Sequence, residues 1–294
     1  MMHPVPIDGH THLVGLIGWP VEHTLSPAMH NAAFSARGLN WRYVPLPVPP
    51  GQVDAAMGGL AALGFRGANV TVPHKRAALA TLHRVAPEAA SLGAVNTIVI
   101  ERGDGGEPTL VGHNTDAAGF IRALRDGGFD PVDASVVVVG AGGAARAVVF
   151  GLIEAGAGDI VVLNRTPRRS RALVSDLERG PSLLRATPLS QETLVESARD
   201  ADLLVNATSL GMWPRVGASV WPAAVPLPSQ LTVFDLVYNP AETKLLRQAR
   251  VSGVGVIGGL AMLVQQGALA FEMWTGAEAP VEVMRTACER ELTP

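Results

Sequence analysis

Short apolar runs alternate with helix-forming segments through the first part of the chain. The pattern predicts strands at 13–17, 41–46, 67–72, 94–100 and 109–112, with a turn at 103–106. It predicts helices at 26–37, 53–63, 75–82 and 88–92. Ser26 precedes Pro27, so we expect Ser26 to be the N-cap of the first helix. Alternation of this kind predicts an α/β architecture.

A second alternating region follows a linker at 126–133 that is rich in Gly, Pro and Asp. It predicts strands at 135–139, 160–163, 203–206, 232–236 and 254–257, and helices at 116–125, 144–155 and 168–178. The stretch 221–229 is expected to be a surface loop. A long apolar helix at 260–274 is expected to pack back on the first domain. The predicted domains are 1–115, 116–256 and the C-terminal helices of 257–294.

Composition narrows the class of protein. The chain has 294 residues, 48% of them apolar and 17% charged, which suits about two folded domains. A net charge of −3 offers no basic surplus, so no nucleic-acid partner is expected. No long apolar run predicts a membrane span. The single cysteine excludes an internal disulfide and, without a signal-peptide pattern, favours a cytoplasmic enzyme. No metal site is expected.

A glycine-rich turn joins the strand at 135–139 to the next helix. It consists of Gly140, Ala141, Gly142, Gly143 and Ala144. Glycine at its first position permits a tight turn, and glycine at its third lets the backbone approach a pyrophosphate at the helix N-terminus. The turn therefore predicts a dinucleotide site. A purely structural turn is the alternative.

The end of the following strand predicts which dinucleotide binds. An NAD site places Asp or Glu there, whereas this chain has Asn164, Arg165 and Thr166, followed by Arg168 and Arg169. Guanidinium groups bind phosphates through paired hydrogen bonds. The segment therefore predicts NADP, with a solvated basic helix start as the alternative.

Lys75 and Asp116 are candidates for acid–base work. Lys75 follows a strand end, and Asp116 begins a helix. A lysine and an aspartate in one cleft can hold and move a proton beside a substrate hydroxyl, as reduction of a ketone requires. The alternatives are an exposed lysine and an N-cap aspartate.

Beyond these individual residues, the chain as a whole resembles the shikimate dehydrogenase family over nearly its full length. Besides the glycine-rich turn, the resemblance rests on segments in one order: GLIG (15–18), HTLSP (23–27), NVTVPHK (69–75), GAVNT (93–97), NTD (114–116), NRT (164–166), NATS (206–209), DLVYNP (235–240) and MLVQQG (262–267). The resemblance implies an N-terminal α/β substrate-binding domain and a C-terminal Rossmann-type domain. It also implies NADP-dependent reversible reduction of 3-dehydroshikimate to shikimate, a step in aromatic amino-acid synthesis.

The family's functional residues transfer to matching positions. Lys75 and Asp116 match its catalytic pair, and Gly259 matches a backbone contact near the nicotinamide. The implied substrate contacts, besides Asp116, are Thr24, Ser26, Thr71, Asn96, Tyr238 and Gln266. Thr24 departs from the family, which usually has serine there. Its hydroxyl can still bond a carboxylate, while its methyl narrows the pocket.

Two other functions compete with this one. The Thr24 substitution leaves open a quinate/shikimate-type dehydrogenase with broader substrate or NAD use, although the arginines argue against NAD. A cofactor-binding sensor without catalysis is the second alternative, and the presence of both Lys75 and Asp116 argues against it. The implied partners are the small-molecule substrate and NADP, in a monomer or homodimer.

Overall fold

The computed structural model describes residues 6–103, 106–178 and 181–293, so half of the turn expected at 103–106 lies outside the described residues. The chain divides into two compact units. The first comprises Met1–Thr115 with Gln266–Pro294, and the second comprises Asp116–Gln265. The second boundary falls nine residues after the one expected at 256/257, because the first turns of the long C-terminal helix pack with the second unit.

Six strands form the sheet of the first unit: β1 (His12–Gly18), β2 (Trp41–Pro47), β3 (Gly67–Val70), β4 (Arg84–Val85), β5 (Thr97–Glu101) and β6 (Thr109–His113). Their order is β2-β1-β3-β5-β6-β4. Strand β1 runs parallel to β2 and β3, whereas β5 runs antiparallel to β3 and β6. The carboxyl ends of β1 and β3 therefore meet the amino end of β5 at one edge of the sheet.

The N-terminal helices of this unit are α1 (Ser26–Ala36), α2 (Val53–Ala62) and α3 (Pro87–Leu92). The expected N-cap was wrong: Leu25 occupies that position, Ser26 is already helical, and no described side chain caps α1. The helix expected at 75–82 is a short 3-10 helix, Ala77–Thr81. Lys75 consequently lies in a turn, not in a helix.

The second unit holds α4 (Asp116–Asp126), α5 (Gly143–Glu154), α6 (Pro167–Leu177), α7 (Gln191–Ala198) and α8 (Lys244–Val251). Its strands are β7 (Ser135–Val139), β8 (Asp159–Asn164), β9 (Leu183–Pro188), β10 (Leu203–Asn206), β11 (Thr232–Asp235) and β12 (Gly255–Gly258). All six are parallel, in the order β12-β11-β10-β7-β8-β9. This is the strand order of dinucleotide-binding folds, so the predicted Rossmann-type sheet is confirmed.

Two further helices end the chain, α9 (Gly259–Thr275) and α10 (Val281–Leu292). Trp274, near the end of α9, donates from Nε1 to the carbonyl oxygen of Ile98 in β5 at 2.9 Å. Gly67 makes this possible, because a Cβ there would lie 2.4 Å from Trp274 Nε1. The last part of α9 is thus fixed to the first sheet.

The surface loop expected at 221–229 was wrong in part. Trp221 and Leu227 are buried in the core beside β10 and β11, and Trp221 Nε1 donates to the carbonyl oxygen of Val225 at 2.7 Å. The segment is irregular but supplies core side chains. Within the described residues, no helix is long and apolar enough to cross a membrane, and no group of His, Cys, Asp or Glu could hold a metal ion.

Candidate functional site

A polar cluster lies where β5 begins in the first unit, with Asn96 at its centre. The Asn96 side-chain oxygen accepts from the Thr115 amide at 2.8 Å and from the Thr97 hydroxyl at 3.0 Å. Its Nδ2 donates to Thr115 Oγ1 at 3.0 Å and to Gln266 Oε1 at 3.4 Å. Asn96 is only 2% exposed. The structure thus joins two of the predicted substrate residues, Asn96 and Gln266.

Thr71 follows β3 at the same edge. Its amide donates to the carbonyl oxygen of Ile17 in β1 at 2.8 Å. A Cβ on Gly18 would lie 2.4 Å from the Thr71 methyl group, so glycine at the end of β1 is what admits the threonine side chain. Thr71 stays partly exposed and can offer its hydroxyl to a ligand.

Thr24 and Ser26 lie at the start of α1. Thr24 is partly exposed, and its Oγ1 accepts from the Ser26 amide at 3.2 Å. The Ser26 side chain is buried beside Tyr43. Ser26 therefore contributes a buried hydroxyl next to a tyrosine, instead of the helix cap expected from the sequence.

The turn carrying Lys75 is fixed on both sides. The Lys75 carbonyl oxygen accepts from the Val95 amide at 2.9 Å, next to Asn96. His74 is buried, and its Nε2 hydrogen-bonds the carbonyl oxygen of Val48 at 2.7 Å. His74 is a positioning residue that the sequence analysis did not single out, because its partner lies 26 residues away.

Asp116 belongs to the second unit, as the first residue of α4. The residue before it, Thr115, is held by Asn96, and Asn114 Nδ2 donates to the carbonyl oxygen of Ala94 at 2.9 Å. The backbone entering α4 is therefore anchored. Because Lys75 belongs to the first unit, the pairing of Lys75 with Asp116 remains a prediction.

The glycine-rich turn of the second unit fits a pyrophosphate. Gly140 has φ +122°, and a Cβ there would lie 2.8 Å from the carbonyl oxygen of Ala207. Gly142 and Gly143 differ, because an added Cβ would meet no described atom within 4 Å. Gly142 is the N-cap of α5, with no side-chain cap among the described residues and no acidic residue in the first turn. The free amides of this helix start suit an anion.

The next strand end fits a second phosphate. Asn164 ends β8 and donates from Nδ2 to the carbonyl oxygen of Thr166 at 2.9 Å, which shapes the turn into α6. Arg165, Arg168 and Arg169 are exposed, and in the described part of the chain none forms a salt bridge. Their guanidinium groups are available to a phosphate, as the NADP prediction requires.

Asp235 organises the loops after β10 and β11. This buried carboxylate accepts from Thr243 Oγ1 at 2.6 Å, from Asn206 Nδ2 at 2.8 Å and from the Val237 amide at 3.1 Å. Burial raises its pKa, and these hydrogen bonds oppose the rise. The network places the partly exposed Tyr238 directly after the bonded Val237.

Gly259 begins α9 in the second unit. A Cβ there would lie 2.2 Å from the carbonyl oxygen of Leu236, so only glycine fits. The predicted backbone contact at Gly259 is thus physically reasonable, because the chain at this position has no side chain to shield it.

Three family models match the chain in order. They are the shikimate dehydrogenase substrate binding domain at residues 16–98, the shikimate / quinate 5-dehydrogenase at 126–236, and the shikimate 5'-dehydrogenase C-terminal domain at 259–289. Together they cover most of both units.

Full-length relatives agree with these matches. The chain is 51% identical to shikimate dehydrogenase (NADP(+)) of Moorella thermoacetica, over 95% of this chain and 93% of the relative. It is 48% identical to the enzyme of the same name from Methanopyrus kandleri, over 96% and 97% of the two chains.

A solved structure agrees as well. Shikimate 5-dehydrogenase of Thermus thermophilus, in complex with NADP(H) and shikimate, is 42% identical, with a TM-score of 0.85 over 96% of this chain and 100% of that chain. The predicted resemblance is confirmed, and the chain belongs to the shikimate dehydrogenase family.

Proposed function

We propose that the protein catalyses the NADP-dependent, reversible reduction of 3-dehydroshikimate to shikimate in aromatic amino-acid synthesis. The observation that carries the proposal is the Asn96 cluster, whose neighbour Val95 bonds the Lys75 turn. Amide and hydroxyl groups gathered in this way can recognise a ligand with several hydroxyls, because they both donate and accept hydrogen bonds. The family membership identifies that ligand's class.

The proposed substrate contacts divide by chemistry. Thr24 and Ser26 bind the carboxylate at the start of α1, and Tyr238 is a further substrate contact that the family resemblance implies. Thr71, Asn96 and Gln266 bind the ring hydroxyls. The amides and hydroxyls of these side chains can donate and accept, which suits hydroxyl partners.

Lys75 and Asp116 are the proposed acid–base pair. When bound, NADPH would supply the hydride that reduces the ketone carbon, and NADP+ would accept it in the reverse direction. Lys75 holds the proton that joins the carbonyl oxygen, and Asp116 orients the same hydroxyl. The hydride and the proton together complete the alcohol.

The cofactor contacts are proposed at three places in the chain. Gly140 to Ala144 hold the pyrophosphate at the start of α5, and Gly259 contacts the nicotinamide through its backbone. Asn164, Arg165, Thr166 and Arg169 hold the 2′-phosphate of NADP.

Turnover assays test the function directly. We expect the purified protein to oxidise shikimate with NADP far better than with NAD, and better than it oxidises quinate. Preference for quinate would favour the alternative that Thr24 raises, a quinate/shikimate-type dehydrogenase. Absence of turnover despite NADP binding would support a sensor instead.

Paired arginine variants test the cofactor choice. Arg165→Gln combined with Arg169→Gln should raise KM for NADP and leave KM for NAD unchanged, because the lost contacts are to a phosphate that only NADP carries. Arg171→Gln, an exposed arginine of α6, is the matched control. Equal losses with both cofactors would assign the arginines a structural role.

We also propose a cytoplasmic location and a monomeric or homodimeric state. The sole cysteine, Cys288, is buried as a free thiol, and burial raises its pKa to about 12. Such a thiol suits a reducing compartment but is not reactive. Light scattering of the purified protein tests the oligomeric state.

A further inference from the structure

A buried chain of polar side chains connects α1 to β5 within the first unit. The buried Ser26 side chain lies beside the Tyr43 hydroxyl, which donates to Asn69 Oδ1 at 2.8 Å. Asn69 Nδ2 donates to Thr97 Oγ1 at 3.0 Å, and the Thr97 hydroxyl donates to Asn96 Oδ1 at 3.0 Å. We name these five residues the Ser26–Asn96 chain.

The direction of these hydrogen bonds follows from one backbone carbonyl. Asn69 Nδ2 also donates to the carbonyl oxygen of Asn96 at 3.1 Å, and a carbonyl can only accept. The Asn69 amide group is therefore oriented with its oxygen toward Tyr43, so the Tyr43 hydroxyl must donate to it. Tyr43 retains only its acceptor capacity for Ser26. The Tyr43 hydroxyl and the Asn69 amide consequently each have one orientation.

The two ends of the chain are proposed substrate contacts, whereas Tyr43 and Asn69 are not. Tyr43 is 2% exposed and Asn69 is 5% exposed, both inside the first unit. Resting on the proposed function, we infer that Tyr43 and Asn69 are positioning residues. They hold the Ser26 hydroxyl and the Asn96 amide in the orientation that binds the substrate, without touching it.

A purely structural role is the rival explanation, because Tyr43 has other contacts. Its ring stacks on His30 at 4.4 Å between centroids, and its backbone amide donates to Asn31 Oδ1 at 2.9 Å. Tyr43→Phe keeps the ring and the backbone and removes only the hydroxyl. The variant thus isolates the link between Ser26 and Asn69.

Steady-state kinetics with shikimate and NADP test the inference. We expect Tyr43→Phe to raise KM for shikimate about fivefold, the effect of one net hydrogen bond. Its kcat and its KM for NADP should stay close to those of the wild type. Thr81→Val is the matched control, because it removes a hydroxyl that donates to the carbonyl oxygen of Ala78 at 2.7 Å outside the chain. An equal rise of KM in Thr81→Val would overturn the inference.

A double-mutant cycle shows whether Tyr43 acts through Ser26. Ser26→Ala combined with Tyr43→Phe should raise KM by less than the product of the two single effects, because the hydroxyl that Tyr43 orients is already gone while its effect on Asn96 through Asn69 remains. Additive effects would overturn the inference.

A second variant covers the case in which Tyr43→Phe does not fold. Thr97→Val keeps the side-chain shape but removes the bonds to Asn69 and Asn96, so the same rise in KM is expected. An unchanged KM for shikimate in Thr97→Val would overturn the inference. Wild-type protein without turnover would instead contradict the proposed function, so the two failures are distinguishable.

Discussion

The two units build their candidate sites by different means. In the first unit, side chains define the site: the Asn96 side chain hydrogen-bonds Thr97, Thr115 and Gln266. In the second unit, the backbone defines it, through Gly140, Gly142 and the open start of α5. Buried side chains can distinguish ligands by their hydroxyl pattern, whereas backbone amides recognise any suitably placed phosphate. Substrate choice and cofactor binding should therefore respond to different substitutions.

Substitution of Lys75 should give the largest effect, and the effect should be on kcat. Lys75→Met should lower kcat about 10²-fold or more, because the proton donor to the substrate oxygen is lost, while folding and NADP binding are retained. Arg76→Met is the control, since it removes the adjacent exposed cation. Rate measurements at saturating shikimate and NADP check this, and a Lys75→Met enzyme with most of its kcat would remove Lys75 from the mechanism.

Substitution of two glycines in the second unit should separate loss of stability from loss of cofactor binding. Gly142→Ala should raise KM for NADP about tenfold, because the methyl occupies the approach of the pyrophosphate while meeting no described atom within 4 Å. Gly140→Ala should instead lower the free energy of unfolding by about 1–3 kcal/mol, given its φ of +122° and the nearby Ala207 carbonyl. Urea unfolding and kinetics of both variants check this. Equal loss of stability in the two would contradict it.

His30 gives the first unit a pH-dependent stability. The ring is fully buried, and among the described residues neither nitrogen has a hydrogen-bond partner. Burial lowers its pKa from 6.5 to about 3. Between these values the unfolded chain binds a proton that the folded chain does not. Neutral His30 therefore makes its full contribution to the free energy of unfolding above pH 6.5. That contribution is lost as the pH falls toward 3, by at most about 1.4 kcal/mol per pH unit.

Urea unfolding from about pH 7.5 to about pH 4.5 measures this dependence, since the range spans the titration of the unfolded histidine. His30→Phe keeps an aromatic ring beside Tyr43 and removes the titrating group, so its free energy of unfolding should fall less steeply with decreasing pH. Parallel curves for the wild type and His30→Phe would show that other groups cause the acid instability.

Local pattern predicted most of the strands and the glycine-rich turn, because the side-chain alternation and backbone requirements of these features involve only a few neighbouring residues. It missed the strands β4 and β9. The prediction failed where contacts between residues far apart in sequence determine the structure. Ser26 precedes Pro27 and resembled a cap, yet it is already helical and its buried side chain lies beside Tyr43. Trp221 lies in a stretch rich in Pro and Ala, yet its side chain is buried in the hydrophobic core. The Ser26–Asn96 chain joins four separate segments, so no local motif reveals it.

Thr24 should give the smallest effects and the sharpest test of substrate choice. Its Oγ1 accepts from the Ser26 amide, which leaves its hydrogen for the substrate carboxylate. Thr24→Ser keeps the hydroxyl and removes a methyl, so KM for shikimate should stay the same or fall slightly. Thr24→Val keeps the shape without the hydroxyl, so KM should rise about fivefold. Kinetics with shikimate and quinate check both variants. If Thr24→Val binds shikimate as well as the wild type, no hydrogen bond from residue 24 holds the substrate.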